Sequence, residues 1–564
     1  MAKDDIPQVP PEVVDEDAPG PPISVPDSGE TGEGGKLKMI VQLVKKCLGV
    51  KDIASMRLSL PASLLEPVPN LEYWNYLDRP DIFAAINDSD DPFERMLAVI
   101  RFAFTKDLKF INGGVCKPYN SVLGEHFRAH WDVPPVAYTD DAPRAPTPRI
   151  YTASNPTATP EIPIPSLVSD SSSIKSGRSS KSTRSGLSLR SKAKTPSTAA
   201  TSLLEPNLAA QMSNLSLGDG ITDINPPENL RVVFLTEQVS HHPPISAFVA
   251  SCPSRHLELS GIDQIAAKVS GTTLRVSPGE YNQGLFIKLT GGHGEGEVYN
   301  VTHPVASVNG ILRGSFYVTV GDSTIITCTG GRPGRKFRTI MEYKEESWLG
   351  KAHFLIEGVV HTVNEGETQY EQWTKVKQVP QSHVVAVFDG TWRGHVRWRR
   401  VGLGSYKAAT SSAASSPTPS HTPLPAPSMK AAAVSRADVS NTGDGEYMTL
   451  IDLSRLQVVP KSVRSLEKQL PYESRKLWEK VTDKLIKKEF SDATKEKVVI
   501  EQRQRDIAAE RKRSGVEFVP QYFEKDISSG IPTLTPEGLK AIEEELAEEV
   551  SFCIEGSEDA ELTS

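Results

Sequence analysis

Two adjacent histidines, His241 and His242, stand in the stretch EQVSHHPPIS, between a polar run and a pair of prolines. Imidazoles can ligate a metal ion, move protons or donate hydrogen bonds to an anion. Histidines that share a metal are usually spaced i, i+2 on a strand or i, i+4 on a helix, so that both face the same way. These two are adjacent, and the sequence contains neither HExxH nor CxxC. The pair therefore predicts a strand end with local hydrogen bonds or an anion site, and no metal site.

Covalent catalysis lacks the residues that it needs. The sequence has no GxSxG nucleophile elbow, and Ser240 is only the chain neighbour of His241. The glycine-rich stretch GETGEGGK has the wrong spacing for a P-loop, and Leu37 stands where Ser or Thr is required. We therefore predict that the protein is not an enzyme and needs no cofactor.

Two further stretches carry charged residues in ordered spacing. VCKPYNSVLGEHF combines Lys117 with a turn at Pro118–Asn120. Later in the chain, KEKVVIEQRQR places Lys497, Glu501 and Arg505 four residues apart, which puts them on one helical face. Taken alone, such a face is typical of a solvated helix with i, i+4 salt bridges.

KPYNSVLGE, EQVSHHPP and the late K-x-x-x-E-x-x-x-R helix, in that order, resemble the ligand-binding domain of the oxysterol-binding protein-related family. The resemblance covers roughly residues 36–140, 230–405 and 446–525, as in a short family member. YESRKLWEKVTDKL and GVEFVPQYF are most similar to the phosphatidylserine-carrying fungal homologues. The family resemblance implies an α+β fold in which a large, incomplete antiparallel β-barrel encloses a lipid tunnel, with an amino-terminal lid and carboxy-terminal helices.

The resemblance also implies a headgroup site for phosphatidylinositol 4-phosphate at the tunnel mouth. Its residues here would be Lys117, Asn120, His241, His242, Lys497, Glu501 and Arg505. Arg, Lys and His donors make charge-assisted hydrogen bonds to phosphate, and a doubly charged phosphate raises the proton affinity of nearby imidazoles. We expect Glu501 to orient Lys497 and Arg505, because a carboxylate that faced the phosphate directly would repel it.

A second cargo is implied to share the tunnel, and its identity depends on the lid and the tunnel lining. In the phosphatidylserine branch a segment reading roughly LPTFILE follows the lid, and here the sequence reads LPASLLE. Leu60, Pro61, Leu64 and Leu65 are therefore expected to contact the lid and the cargo. The carboxy-terminal motifs make phosphatidylserine the favoured cargo, whereas Ala62–Ser63 in place of the central Thr-Phe departs from that branch and keeps a sterol as the alternative.

Periodicity predicts the elements that must position these residues. Apolar spacing predicts a short lid helix over Leu37–Leu48 and a second helix over Asp90–Phe104, capped by Asp90 or Asp91. Charged helical sequence follows residue 441. Between these regions lies a β-rich block, and its strand candidates are LRVVFLTEQVS, GLFIKLTGG, EVYNVTHPVASV, ILRGSFYVTVGDSTIITCTG, HFLIEGVVHTV and HVVAVFDGTW.

Composition divides the chain into folded and solvated segments. Two Ser- and Pro-rich insertions are expected to be disordered, and the first contains seven basic and no acidic residues within SSSIKSGRSSKSTRSGLSLRSKAKT. The predicted segments are 1–35 (disordered acidic, Pro-rich tail), 36–140 (lid, helices and first part of the lipid-binding domain), 141–228 (first insertion), 229–405 (β-barrel part), 406–444 (second insertion), 445–527 (carboxy-terminal helical part) and 528–564 (acidic tail).

Charge and cysteine content bear on partners and compartment. The net charge of −8 and a pI near 5.9 argue against general nucleic-acid binding. Five scattered cysteines fit a reducing compartment, and no run of 18 apolar residues predicts a membrane span. We expect a cytoplasmic protein, peripheral at contacts between endoplasmic reticulum and plasma membrane.

Two hypotheses of function remain open at this point. In the first, the protein transfers lipid, exchanging phosphatidylserine or a sterol for phosphatidylinositol 4-phosphate between membranes that it touches transiently. In the alternative, it is a sterol-binding sensor or scaffold that does not deliver its ligand. EFSDATK resembles the two-phenylalanine motif that docks on endoplasmic-reticulum receptors, but Ser491 replaces one Phe and Lys495 the final acid. We interpret it as a helix N-cap at Ser491 or Asp492.

Overall fold

The computed structural model describes part of the chain, namely residues 23–24, 39, 41–43, 45–47, 49–54, 58–60, 62–112, 117–138, 146–147, 229–270, 273–310, 317–344, 353–364, 366–401 and 446–549. The chain divides into two compact units, residues 1–166 with 229–564, and residues 167–228. All of the second unit lies outside the described residues, as do Pro61, the insertion 406–444 and nearly all of the tail 1–35.

The strands are rich in β-branched and aromatic residues, which pack well on a pleated surface. LRVVFLTEQVS forms one strand over its whole length, and each of the other strand candidates contains at least one strand. The described strands are β1 (Ile23–Ser24), β2 (Leu58–Ser59), β3 (His126–Val133), β4 (Ala137–Tyr138), β5 (Pro146–Thr147), β6 (Leu230–Ser240), β7 (Ile245–Cys252), β8 (Leu257–Asp263), β9 (Ile265–Ser270), β10 (Thr273–Pro278), β11 (Leu285–Leu289), β12 (Glu297–Val301), β13 (Val305–Asn309), β14 (Tyr317–Gly321), β15 (Ser323–Gly330), β16 (Lys336–Tyr343), β17 (Leu355–Val363), β18 (Val384–Thr391), β19 (His395–Arg400) and β20 (Met448–Asp452).

Helices precede and follow the β-rich block. The described helices are α1 (Asn70–Tyr73), α2 (Pro80–Ala84), α3 (Pro92–Thr105), α4 (Lys109–Asn112), α5 (Ser474–Leu477), α6 (Glu479–Ile486), α7 (Phe490–Ser514) and α8 (Pro536–Leu546). Short 3-10 helices are Ala62–Leu64, Ala85–Asn87, Pro253–Arg255, Gln369–Gln372, Val376–Gln378, Gln381–His383 and Leu453–Arg455. Asp91 caps α3 as predicted, because its side chain accepts from the N–H of Phe93 at 2.8 Å. In the predicted lid helix, residues 39, 41–43 and 45–46 are helical.

Twelve strands form one sheet in the order β20-β19-β18-β17-β16-β15-β12-β11-β8-β7-β6-β3. Its neighbouring strands pair antiparallel. The α+β class and the large antiparallel sheet are thus confirmed. The sheet is not closed into a barrel, since β20 and β3 stand at its two edges. Strands β14-β13-β10-β9 form a smaller sheet, against which the lid residues Cys47 and Ile53 pack.

Helix α3 supplies much of the apolar core on the inner face of the large sheet. The Phe93 ring lies 5.6 Å from Phe337 and 5.5 Å from Trp398, measured between ring centroids. Further along α3, the Phe104 ring lies 6.4 Å from that of Phe388. These side chains pack on one another, and the lipid tunnel stays a prediction.

The N-cap predicted for the long carboxy-terminal helix is wrong. Helix α7 begins at Phe490, and Glu489 precedes it without a capping side-chain bond. The helix includes Ser491 and Asp492 because Phe490 packs against the apolar cluster around Trp478 and so belongs to the first turn.

The acidic tail predicted for residues 528–564 is wrong in its described part. Residues Pro536–Leu546 form helix α8, and Ala541 and Ile542 are buried against the outer face of β6 and β7. The prediction failed because the acidic residues pair with basic groups far away in the chain. Glu545, for example, accepts from His130 Nδ1 at 2.7 Å and is 1 % exposed.

Candidate functional site

A recess brings together residues from three distant parts of the chain. About 250 Å³ of space between atoms, open solvent included, lies within it, and its lining residues are Leu60, Leu65, Lys117, Asn120, Trp478, Lys497 and Glu501. All of them except Trp478 are residues that the sequence analysis assigned to the headgroup site or the lid. The lid segment, the KPYNSVLGE motif and the charged face of α7 therefore meet at one place.

The KPYNSVLGE motif reaches the recess as a loop between α4 and β3. Lys117 Nζ donates to Asn120 Oδ1 at 2.7 Å. The loop is tied to the segment after the lid, because the N–H of Glu66 donates to the Lys117 carbonyl at 3.0 Å and the N–H of Tyr119 to that of Val68 at 3.2 Å. A displacement of that segment would therefore move Lys117 and Asn120 with it.

Helix α7 supplies the charged face. Lys497 is only 5 % exposed, and its Nζ donates to Glu501 Oε1 at 2.5 Å, so the expected i, i+4 pairing is present. Arg505, two turns beyond Lys497, is half-buried and donates to Gln502 Oε1 at 2.7 and 3.1 Å. Lys497 and Glu501 line the recess, whereas Arg505 is not among its lining residues.

The histidine pair lies on the turn between β6 and β7. His241 and His242 are both half-buried, with ring centroids 4.5 Å apart. Just before this turn, the Gln238 carbonyl accepts from the N–H of Gly124 at 2.9 Å, and the Gln238 N–H donates to Glu125 at 2.8 Å. The strand that carries the pair is therefore bonded to the loop that carries Lys117, although neither histidine lines the recess itself.

Apolar side chains form the other wall of the recess. Leu60 and Leu65 are buried in one cluster, and Leu64 packs against it. The other buried members are Ala62, Tyr119, Val122, Trp478, Val481, Leu485 and Ala493. The N–H of Ala62 donates to Thr494 Oγ1 at 3.2 Å, which fastens the lid segment to α7. Cationic groups thus stand beside a hydrocarbon surface.

Two aromatic residues of this site were not predicted. The rings of Trp478 and Tyr119 lie 4.9 Å apart at 36°, and both residues are 1 % exposed. The Tyr119 hydroxyl lies 2.9 Å from Thr482 Oγ1 on α6. The available signal was an aromatic residue inside each motif, Tyr119 in KPYNSVLGE and Trp478 in YESRKLWEKV.

Glu125, the last residue of KPYNSVLGE, was also missed. Its Oε2 accepts from the Val122 N–H and the Trp478 indole N–H, each at 3.0 Å, and its Oε1 accepts from Ser474 Oγ at 2.7 Å. Burial raises the pKa of Glu125 to about 7, although these hydrogen bonds favour the charged form. The carboxyl group fixes the loop of Lys117 to the carboxy-terminal helices.

The donors and the apolar wall of the recess suit an amphipathic, anionic ligand. Within the described residues, no group of three or more His, Cys, Asp and Glu side chains could hold a metal ion. No helix in the described part of the chain is long and apolar enough to cross a bilayer.

Comparison of sequences relates most of this chain to one family. The family model described as oxysterol-binding protein matches residues 39–141 and 223–535. Oxysterol-binding protein-like protein 1 of Schizosaccharomyces pombe is 38% identical over 93% of this chain and 95% of its own length. Oxysterol-binding protein homolog 7 of Saccharomyces cerevisiae is 22% identical over 91% of this chain and 82% of its own length.

Comparison of structures relates the fold to solved domains of similar size. The Osh1 ORD domain in complex with cholesterol matches with a TM-score of 0.52 and 16% identity, covering 92% of this chain and 90% of that chain. At 16% identity this match supports a similar fold and nothing further. The matched family region ends at residue 535, so helix α8 lies just beyond it.

Proposed function

Because the chain belongs to the oxysterol-binding protein family, we propose that it exchanges phosphatidylserine or a sterol for phosphatidylinositol 4-phosphate between membranes. Lipid binding and transfer are the general activity of this family. The identity of the two lipids and the exchange between them are specific to the proposal.

One observation carries the proposal, namely the pairing of buried charge with an apolar wall in the recess. Lys117, Asn120 and Lys497 offer donors, while Leu60 and Leu65 offer hydrocarbon surface. A membrane lipid has a polar headgroup and acyl chains, and each CH₂ that leaves water contributes about 0.8 kcal/mol. A soluble anion would leave the apolar wall unused.

In this proposal the phosphoinositide headgroup binds to Lys117, Lys497 and the histidine turn. A phosphate that approaches Lys497 competes with Glu501 for the ammonium group, and burial keeps solvent screening of that interaction small. His241 and His242 add hydrogen-bond donors for the phosphate oxygens. Arg505, on the same helix, adds charge at the rim.

The second cargo is phosphatidylserine in the favoured version of the proposal and a sterol in the other. The carboxy-terminal motifs support phosphatidylserine. Ala62 and Ser63 in LPASLLE support the sterol, since they depart from the phosphatidylserine pattern. Both residues are buried, so their small volumes shape the wall that a cargo would meet.

Transfer between liposomes tests the proposal against the sensor hypothesis. Donor vesicles carry a fluorescent form of one lipid, and acceptor vesicles either contain or lack the counter-lipid. Exchange predicts fast transfer that accelerates when the acceptors contain the counter-lipid. Tight binding of either lipid with negligible transfer would instead support a sensor or scaffold.

The proposed setting is the cytoplasmic surface of membranes at contact sites, where the protein binds transiently. The stretch EFSDATK does not support a receptor at the endoplasmic reticulum. Phe490, its aromatic residue, packs against the apolar cluster of the recess and starts helix α7. A helical segment whose Phe is committed to the fold does not offer an extended peptide for docking.

A further inference from the structure

The carboxylate of Glu237, the first residue of EQVSHHPP, clamps a remote segment of the backbone. Glu237 is 1 % exposed, and its Oε1 accepts from the N–H of Gln521 while its Oε2 accepts from the N–H of Tyr522, both at 2.8 Å. Both carboxylate oxygens are thus used by backbone donors. His241 and His242 follow Glu237 four and five residues later, on the turn after β6.

The clamped segment continues from helix α7, which carries Lys497. Helix α7 ends at Ser514, so only six residues separate it from Gln521. Within this short connection the Phe518 ring packs against Gly124 of KPYNSVLGE, where an added Cβ would lie 3.3 Å from it. Glu237 therefore joins the strand that leads to the histidine turn with the segment that leads from the cationic helix.

Helix α8 holds the clamped segment from its other side. Thr535 Oγ1 donates to the Gln521 carbonyl at 2.7 Å, and its N–H donates to the Tyr522 carbonyl at 3.0 Å. The same Thr535 hydroxyl caps α8 by accepting from the N–H of Gly538 at 3.0 Å. At the far end, Arg231 at the start of β6 donates to the Leu546 carbonyl at 3.0 Å.

Helix α8 and the clamp thus brace β6 along its length. Ala541 and Ile542 cover Val233 and Leu235 on the outer face of β6, between the contacts at its two ends. A strand held in this way cannot tilt freely, so the turn that follows it has a defined position. Donors bind a phosphate well only when their supporting contacts hold them within about 0.5 Å of the binding geometry.

We propose that Glu237 is a positioning residue of the phosphoinositide site, which holds the histidine turn and the cationic helix α7 in register by clamping the backbone of Gln521 and Tyr522. The inference rests on the proposed function and adds a residue that does not itself touch the lipid. The second cargo depends on the apolar wall and is therefore much less sensitive to this clamp.

The substitution Glu237→Gln tests the clamp at nearly constant volume. An amide has one acceptor oxygen, and its NH₂ group would face a backbone N–H, so one hydrogen bond is lost and a donor faces a donor. We expect extraction of phosphatidylinositol 4-phosphate from vesicles to weaken by about tenfold or more. Extraction of the second cargo should stay within about twofold, and Thr535→Val should give the same selective loss in smaller measure.

Two control variants separate positioning from general loss of stability. Glu524→Gln makes the same change at an exposed site on the clamped segment and should leave both activities unchanged. Val387→Ala weakens a buried cluster around Trp373 and should lower extraction of the two lipids equally, if at all.

Unchanged phosphoinositide extraction by both Glu237→Gln and Thr535→Val would overturn the inference. An equal loss for both lipids, as in a destabilised protein, would overturn it as well. If the unaltered protein extracts no phosphoinositide, the proposed function fails, and the inference fails with it. If the unaltered protein extracts the phosphoinositide and both variants extract it equally well, only the inference fails and the proposed function stands.

Discussion

Burial distinguishes residues that look equivalent in the sequence. Lys495 and Lys497 lie two positions apart on helix α7, yet the side chain of Lys495 is 74% exposed and that of Lys497 is 6% exposed. Spacing alone could place Lys497 on a charged face of the helix. It could not show whether that face is exposed to solvent or lines a recess. The buried glutamates Glu125 and Glu237 were missed for a related reason, since their partners lie hundreds of residues away.

Glu125 predicts a pH dependence of stability. Burial raises its pKa to about 7 from its ordinary value of 4.5. Between these pH values the folded protein keeps a proton that the unfolded chain has released, so the contribution of Glu125 to the free energy of unfolding falls as the pH rises. Glu125→Gln should mimic the protonated form, because the amide oxygen can accept both N–H groups and the NH₂ can donate to Ser474.

Urea unfolding at about pH 5 and about pH 8 measures this effect. The free energy of unfolding of Glu125→Gln, relative to the unaltered protein, should increase between these pH values by up to ~3 kcal/mol. Glu295→Gln, at an exposed site, is the matched control and should show no such change. The same difference at both pH values would contradict the prediction.

Secondary-structure elements were predicted well where their pattern is local. Strand β6 and the cap of helix α3 follow from apolar spacing and from Asp91 before a Pro-led helix. Strand β3 was not predicted, because its sequence HFRAHWDV buries Arg128 and His130. Their partners Glu544 and Glu545 lie on α8. Because these charged residues are paired in the fold, their charge in the sequence wrongly indicated solvent-exposed segments for both the strand and the helix.

Helix α8 should behave as part of the folded unit. Ile542, 9% exposed, lies on the face that covers β6, whereas Leu539, 55% exposed, lies on the opposite side. We expect Ile542→Ala to lower the free energy of unfolding by about 2–4 kcal/mol through lost burial and a cavity. Leu539→Ala should change it by less than about 0.5 kcal/mol. Urea unfolding of the two variants measures the contrast, and equal small effects would mean that α8 is not packed.

At the scale of the whole molecule, the family resemblance can be recognised in the sequence because the two insertions lie between strands that pair with each other and so leave the motifs in order. Strands β19 and β20 pair antiparallel, with Trp398 opposite Met448, and residues 401–447 join them. Strands β3 and β6 pair with Val133 opposite Leu230, and the first insertion lies between them. Long connections in such places cost little, since loop-closure entropy grows only with the logarithm of length.

The sheet, the long helices and the three motifs could thus be predicted from the sequence, whereas the bracing of the site could not. The motifs gave Lys117 and Lys497 as parts of one site, and both line the recess. Nothing local signalled that Trp478 would complete its wall or that α8 would support β6. These contacts depend on which segments, distant in the chain, pack against each other in the fold. Local patterns in a single sequence do not show that.

Native mass spectrometry of the protein after incubation with vesicles that contain both candidate lipids tests the central claim most directly. The unaltered protein should carry one lipid at a time, either phosphatidylinositol 4-phosphate or the second cargo. The double variant His241→Ala, His242→Ala and the variant Lys497→Met should each lose the phosphoinositide adduct by about tenfold or more, while keeping the other lipid. Lys495→Met, on the exposed side of the same helix, should retain both adducts. Undiminished phosphoinositide adducts in both site variants would contradict the account.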